Sequence, residues 1–212
     1  MTVLTAIFEK ECGLLLQSCM PTAASTVRRR EIHAFMADII RKSLPEGSLL
    51  GVGSSSLRTY LPEGDIDLVL LTDHTSSSSV SSSENFRNTL GRVFEALCQE
   101  ISAKDDELSP HKSMTIRNIG LVNGRTKVAH CVVNNVGVDI TVNQLGSLAT
   151  VTFLEEADRC LGLDHLLKRS IILIKVLYFS HQFILINLST NFEFIGILNV
   201  MFFFCRIKRK FL

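Results

Sequence analysis

The stretch Ile66 to Leu71, reading IDLVLL, limits the fold of this chain more than any other. It is apolar apart from Asp67, and the turn residues Leu61-Pro62-Glu63-Gly64 precede it. A short apolar run bounded by Pro and Gly suits a strand in the interior of a sheet. Side chains alternate across a strand, so Asp65 and Asp67 share one face while Ile66 and Leu68 enter the core on the other. Two ionised carboxylates about 6–7 Å apart on one strand repel each other and resist burial. They are a poor structural device and a good cradle for divalent cations.

The other elements assemble around this strand. Residues 1–45 read as helical, with Pro21 dividing two segments and Ser25 a candidate cap for the second. Ile32, Phe35, Met36, Ile39 and Ile40 recur at helical spacing. The run Arg28-Arg29-Arg30 reads as a solvated face rather than a phosphate site. Ser48 to Gly53 is a short strand ending in glycine, and Ser54 to Tyr60 a helical turn. Thr75 to Ser83 is nearly all serine and reads as a surface loop. Residues 84–103 read as a helix with Phe86, Leu90, Val93, Phe94 and Leu97 on one face. Strand-like segments follow at 114–122, 125–133 and 136–142, separated by Asn123-Gly124 and Asn134-Asn135. Residues 145–176 read as helical again. This order predicts an α/β (α+β) fold, with a mixed sheet flanked by helices.

Composition narrows the partners. The 212 residues carry a net charge of only +1, so no global basic field argues for nucleic acid. Such a partner has to be argued from a site. The six cysteines form no CxxC pair and no zinc spacing, which suits reduced thiols in the cytoplasm or nucleus. Glu9, Lys10 and Glu11 interrupt the N-terminal apolar stretch, unlike a signal peptide.

Asp139, in Val138-Asp139-Ile140, sits alone between apolar residues in another expected strand. If that strand neighbours 66–71, the carboxylates of Asp65, Asp67 and Asp139 converge. Mg²⁺ or Mn²⁺ prefers such oxygen ligands together with substrate phosphates. That is the two-metal layout for in-line phosphoryl displacement. Gly53 lets a phosphate approach backbone N–H groups, and Ser54 adds a hydroxyl.

These residues carry a resemblance. Gly53-Ser54, ten residues, Asp65-Ile66-Asp67-Leu68 and the later Val138-Asp139-Ile140 resemble the signature of the DNA polymerase β-like nucleotidyltransferases. Within that superfamily the chain is most similar to the noncanonical poly(A) polymerases and terminal uridylyltransferases. TYLPEGDIDL (59–68), VDITVNQLGSL (138–148) and LEEADRCLGLDHLLKRSIILIK (154–175) carry the likeness, which spans roughly residues 21–176. The resemblance implies a nucleotidyltransferase palm with Asp65, Asp67 and Asp139 as catalytic, metal-binding residues. It implies Gly53, Ser54 and Lys175 at the triphosphate and Thr150 near the ribose. It also implies transfer of a nucleoside monophosphate from an NTP to an RNA 3′-hydroxyl, and a helical domain following the palm.

After Lys175 the likeness stops. Residues 177–212 are rich in Phe, Ile, Leu and Asn, hold no proline or aspartate, and suit AT-rich codons. We read them as an aberrant tail, with Lys175-Val176 matching an exon ending followed by an intron beginning. Phe194 to Cys205 is too short to span a bilayer, which takes about 20 residues. The expected organisation is a helical segment over 1–45, a palm over 46–176 and this tail over 177–212. The expected molecule is a monomer without a membrane anchor. Two readings follow: an RNA nucleotidyltransferase, or a truncated, inactive palm serving as a nucleotide-binding or scaffold fragment. Transfer to a small molecule or protein is a weaker third. Nothing in residues 1–176 selects ATP over UTP.

Overall fold

Five strands order as β1-β2-β5-β4-β3, with β2 (Ile66–Leu71) and β5 (Val136–Val142) parallel in the interior. The remaining pairs, involving β1 (Ser48–Val52), β4 (Lys127–Val133) and β3 (Ile116–Asn123), are antiparallel. The structure, a computed structural model, describes residues 3–72, 82–102, 113–124 and 126–185. Most of the serine-rich stretch and residues 186–212 of the tail lie outside the described residues.

The sheet belongs to a compact unit over Pro21–Glu156. One face packs against α2 (Ala23–Ser43) and α4 (Ser82–Ser102). Ile32, Phe35, Met36, Ile39 and Ile40 of α2 meet Leu90, Val93 and Leu97 of α4 over Ile66, Leu68, Leu70, Val138 and Ile140. The helical spacing of one set and the alternation of the other thus fill a single core. On the sheet's other face Asp67 and Asp139 are half-buried, while Val52 and Val69 are buried. Asn134 and Asn135 make the β4–β5 hairpin, both with positive φ (47° and 66°), as a tight two-residue turn demands.

The start of α2 differs from expectation. Thr22, not Ser25, is the N-cap, and the two form a capping box: Ser25 N–H donates to Thr22 Oγ1 at 3.1 Å and Thr22 N–H to Ser25 Oγ at 3.0 Å. The arginine run is also not one solvated face. Arg29 falls three residues before Ile32 on the apolar stripe and is only 8% exposed.

A second compact unit comprises Met1–Met20 and Ala157–Leu212. Within it α1 (Val3–Cys19) packs on α6 (Leu166–Leu185). The expected single helix over 145–176 is two: α5 (Leu145–Leu161) ends where Gly162, Leu163, Asp164 and His165 all take positive φ, and α6 follows. Asp158 fastens that corner. His165 Nδ1 lies 2.7 Å from Asp158 Oδ2, and the Lys168 amide donates to Asp158 Oδ1 at 3.3 Å. The expected boundary at 176/177 falls inside α6. Among the described residues no helix is long and apolar enough to cross a membrane.

Candidate active site

Three carboxylates decorate one face of the parallel pair. Ile66 pairs with Val138 and Asp67 with Asp139, so Asp65 and Gly137 come next in the same register. Alternation puts Asp65, Asp67, Gly137 and Asp139 on the same side. Asp65, one residue before β2, is exposed; Asp67 and Asp139 are half-buried.

Each carboxylate has its own neighbour. Val52 pairs with Asp67 across β1–β2, which brings Gly53 beside the Asp67 side chain. A Cβ on Gly53 would stand 2.2 Å from Asp67 Oδ2, and Gly53 has φ +63°, so glycine is required twice over. A Cβ on Gly137 would likewise stand 2.2 Å from Asp65 Oδ1. Asp139 Oδ1 lies 2.6 Å from Nδ1 of His130, its register partner on β4. With Asp139 ionised, Nδ1–H is the donor.

Arg29 holds the entry to β2. Its guanidinium lies 3.9 Å from the centroid of the Tyr60 ring and donates to Ser55 Oγ (3.0 Å), to the Asp65 carbonyl (3.2 Å) and to the Gly64 carbonyl. Tyr60 Oη is tied in turn to Ser25 Oγ at 2.8 Å and Thr26 Oγ1 at 3.1 Å. Burial pulls the Arg29 pKa down, and Tyr60 and Asp65 oppose that pull. The guanidinium therefore fixes the backbone from which the Asp65 carboxylate projects.

Gly53 opens α3 (Gly53–Leu57), which stops at Arg58 in the left-handed conformation. Ser54 follows Gly53 in that turn and is half-buried. Thr150 lies exposed on α5, its hydroxyl donating to the Gly146 carbonyl at 2.8 Å. Lys175 lies on α6, in the other compact unit. The structure thus gathers Gly53, Asp65, Asp67 and Asp139. Sequence reasoning missed Gly137, His130 and Arg29. The signals were there: Gly137 stands two before Asp139, His130 alternates with buried Ala129 and Cys131, and Arg29 shares a helical stripe with Ile32 and Met36.

The donor set suits a hard divalent cation, being all carboxylate oxygen on one face of the β2–β5 pair beside glycines that leave room. Among the described residues, no three acidic, histidine or cysteine side chains are already drawn together around an ion position. The carboxylates are turned to Gly137, Gly53 and His130 instead.

Residues 8–154 match the family model of the mitochondrial-like poly(A) RNA polymerase central palm domain. The chain belongs to that family. Its palm also resembles solved structures. A cytoplasmic RNA terminal U-transferase superposes with TM-score 0.58 at 17% identity, over 80% of this chain and 44% of that one. The GLD-2/RNP-8 complex gives 0.63 at 12%, over 83% and 62%. The mtPAP complex with ATPγS gives 0.61 at 14%, over 80% and 35%. At such identities the likeness is one of fold: a nucleotidyltransferase palm with a mixed sheet flanked by helices. The chain spans less than half the length of the U-transferase and about a third of mtPAP. No curated protein matches the sequence.

Proposed function

We propose that this mitochondrial-like poly(A) polymerase palm performs metal-dependent transfer of a nucleoside monophosphate from an NTP to an RNA 3′-hydroxyl. The observation that carries the reading is the parallel register of Asp67 and Asp139, with Asp65 next in line. Asp65, Asp67 and Asp139 would hold Mg²⁺ or Mn²⁺. A cation there supplies Lewis-acid polarisation of the phosphate and makes the attacking hydroxyl more acidic. The bond formed joins the RNA 3′-oxygen to the α-phosphorus; the bond broken releases pyrophosphate, and the hydroxyl proton leaves to solvent. Gly53 admits the triphosphate to backbone N–H groups, with Ser54 contributing to its grip and Thr150 serving the ribose. His130 keeps the Asp139 carboxylate from swinging, and Arg29 holds the Asp65 backbone.

A second reading is a palm that binds nucleotide without turnover. The chain spans 44% of the U-transferase it resembles, and its described residues hold the palm that would bind the nucleotide, so nucleotide binding is read separately from extension. One experiment separates them. The chain is incubated with a labelled RNA oligonucleotide, ATP or UTP, and Mg²⁺. Extension that disappears in Asp67→Ala supports the enzyme. Nucleotide binding without extension supports the palm fragment, and equal extension by Asp67→Ala overturns the assignment of the site.

A further inference from the structure

The face of β2 opposite the carboxylates borders a different site. Ile66 and Leu68 floor a cavity of about 370 Å³ bounded by α2, β1 and α3. That volume lies within the range of small-ligand sites. Its walls carry Arg29, Arg30 and Arg58 with the hydroxyls of Thr26, Ser55 and Ser56, and no carboxylate side chain lines it. Arg29 is committed to Ser55, Gly64 and Asp65. Arg30 and Arg58 are exposed, and among the described residues neither guanidinium has a hydrogen-bond or ion-pair partner.

Three guanidiniums around one cavity repel one another unless an anion sits between them. The planar fork of arginine matches phosphate oxygens, and serine and threonine hydroxyls are common companions of arginine on a nucleic-acid backbone. We propose that this cavity is a phosphate site, separate from the carboxylate face, taking a phosphodiester of a bound RNA strand. Arg30 and Arg58 close on the phosphate from either side, and Ser56 donates from α3. Only the source of the phosphate, an RNA strand rather than the free ion, rests on the proposed substrate. The arginine run of α2 then has divided duties: Arg29 is structural, and Arg30 faces the anion.

The test uses the 212-residue chain, a fluorescein-labelled single-stranded RNA read by anisotropy, and inorganic phosphate read by ³¹P line broadening. Arg30→Gln/Arg58→Gln is compared with wild type and with Arg41→Gln/Arg87→Gln, which removes equal charge away from the cavity. Thermal melting verifies that each variant is folded. The expected result is a roughly tenfold loss of RNA affinity in the cavity variant alone, with a salt dependence shallower by about one unit of log–log slope. If phosphate broadening is lost in the cavity variant while RNA binding is unchanged, the site takes free phosphate and the RNA source is overturned. If the cavity variant matches the charge-control variant in both measurements, the phosphate site is overturned. RNA binding is read without NTP or divalent cation, so its loss in the cavity variant concerns the phosphate site, and absence of extension by wild type concerns the carboxylate face.

Discussion

Asp67 on β2 and Asp139 on β5 are direct register partners in the parallel pair at the heart of the sheet. Like charges facing each other cost stability, a cost that a bound cation would offset. Asp139→Asn should reduce RNA extension to background while the melting temperature holds or rises. His130→Val frees Asp139 Oδ1 and should weaken Mn²⁺ binding about tenfold, as loss of a carboxylate's supporting partner does. Mn²⁺ titration followed by electron paramagnetic resonance measures both variants without relying on turnover.

The two glycines of the site separate strain from crowding. Gly53→Ala suffers both, since φ is +63° and its Cβ would meet Asp67. It should cost about 1–2 kcal/mol of stability together with activity. Gly137→Ala only crowds the Asp65 carboxylate, which is exposed and able to move. Its stability should change by about 0.5 kcal/mol or less while extension falls. Denaturant melts and extension assays on the two variants test the contrast.

Asp158 predicts an acid sensitivity. Burial opposes its ionisation, and hydrogen bonds from His165 and the Lys168 amide outweigh burial, holding its pKa below the ordinary value. A depressed carboxylate contributes stability above the unfolded pKa of about 3.9, and that contribution is lost as pH falls through the lower folded value. Asp158→Asn should therefore lose about 1.5–3 kcal/mol at neutral pH. Its melting temperature should also fall less steeply than wild type below about pH 4.

The cysteines should differ sharply in reactivity. Burial, reinforced by Asp139, pushes the Cys131 thiol up to about 12, whereas Cys160 is exposed. Iodoacetamide near pH 8 should alkylate Cys160 and leave Cys131 untouched until denaturant is added. Peptide mass spectrometry reads the outcome.

The legible part of this fold was the part written in periodicity. Ile66 to Leu71 and Val136 to Val142 alternate or run apolar, and both form strands with those bounds. Asp65, Asp67 and Asp139 were legible for the same reason, as charges interrupting apolar strands. That β2 and β5 lie side by side is a long-range pairing, and periodicity within each strand states only the condition for convergence. Charge alone assigns Arg29 to solvent, whereas helical phase puts it on the apolar stripe, where Tyr60 beneath the guanidinium and two accepting carbonyls make burial acceptable. The break after α5 is not legible in the apolar spacing of 145–176, because it depends on Asp158 receiving His165 and the Lys168 amide across the corner.

The parallel pairing has a consequence for biosynthesis. Parallel neighbours cannot be joined by a tight hairpin, and here α4, β3 and β4 all intervene between β2 and β5. A ribosome-bound chain that has released Asp65 and Asp67 has yet to make Asp139, which joins them only when β5 has emerged and slotted in beside β2. The three carboxylates therefore come together only as the sheet is completed, late in synthesis of this part of the chain.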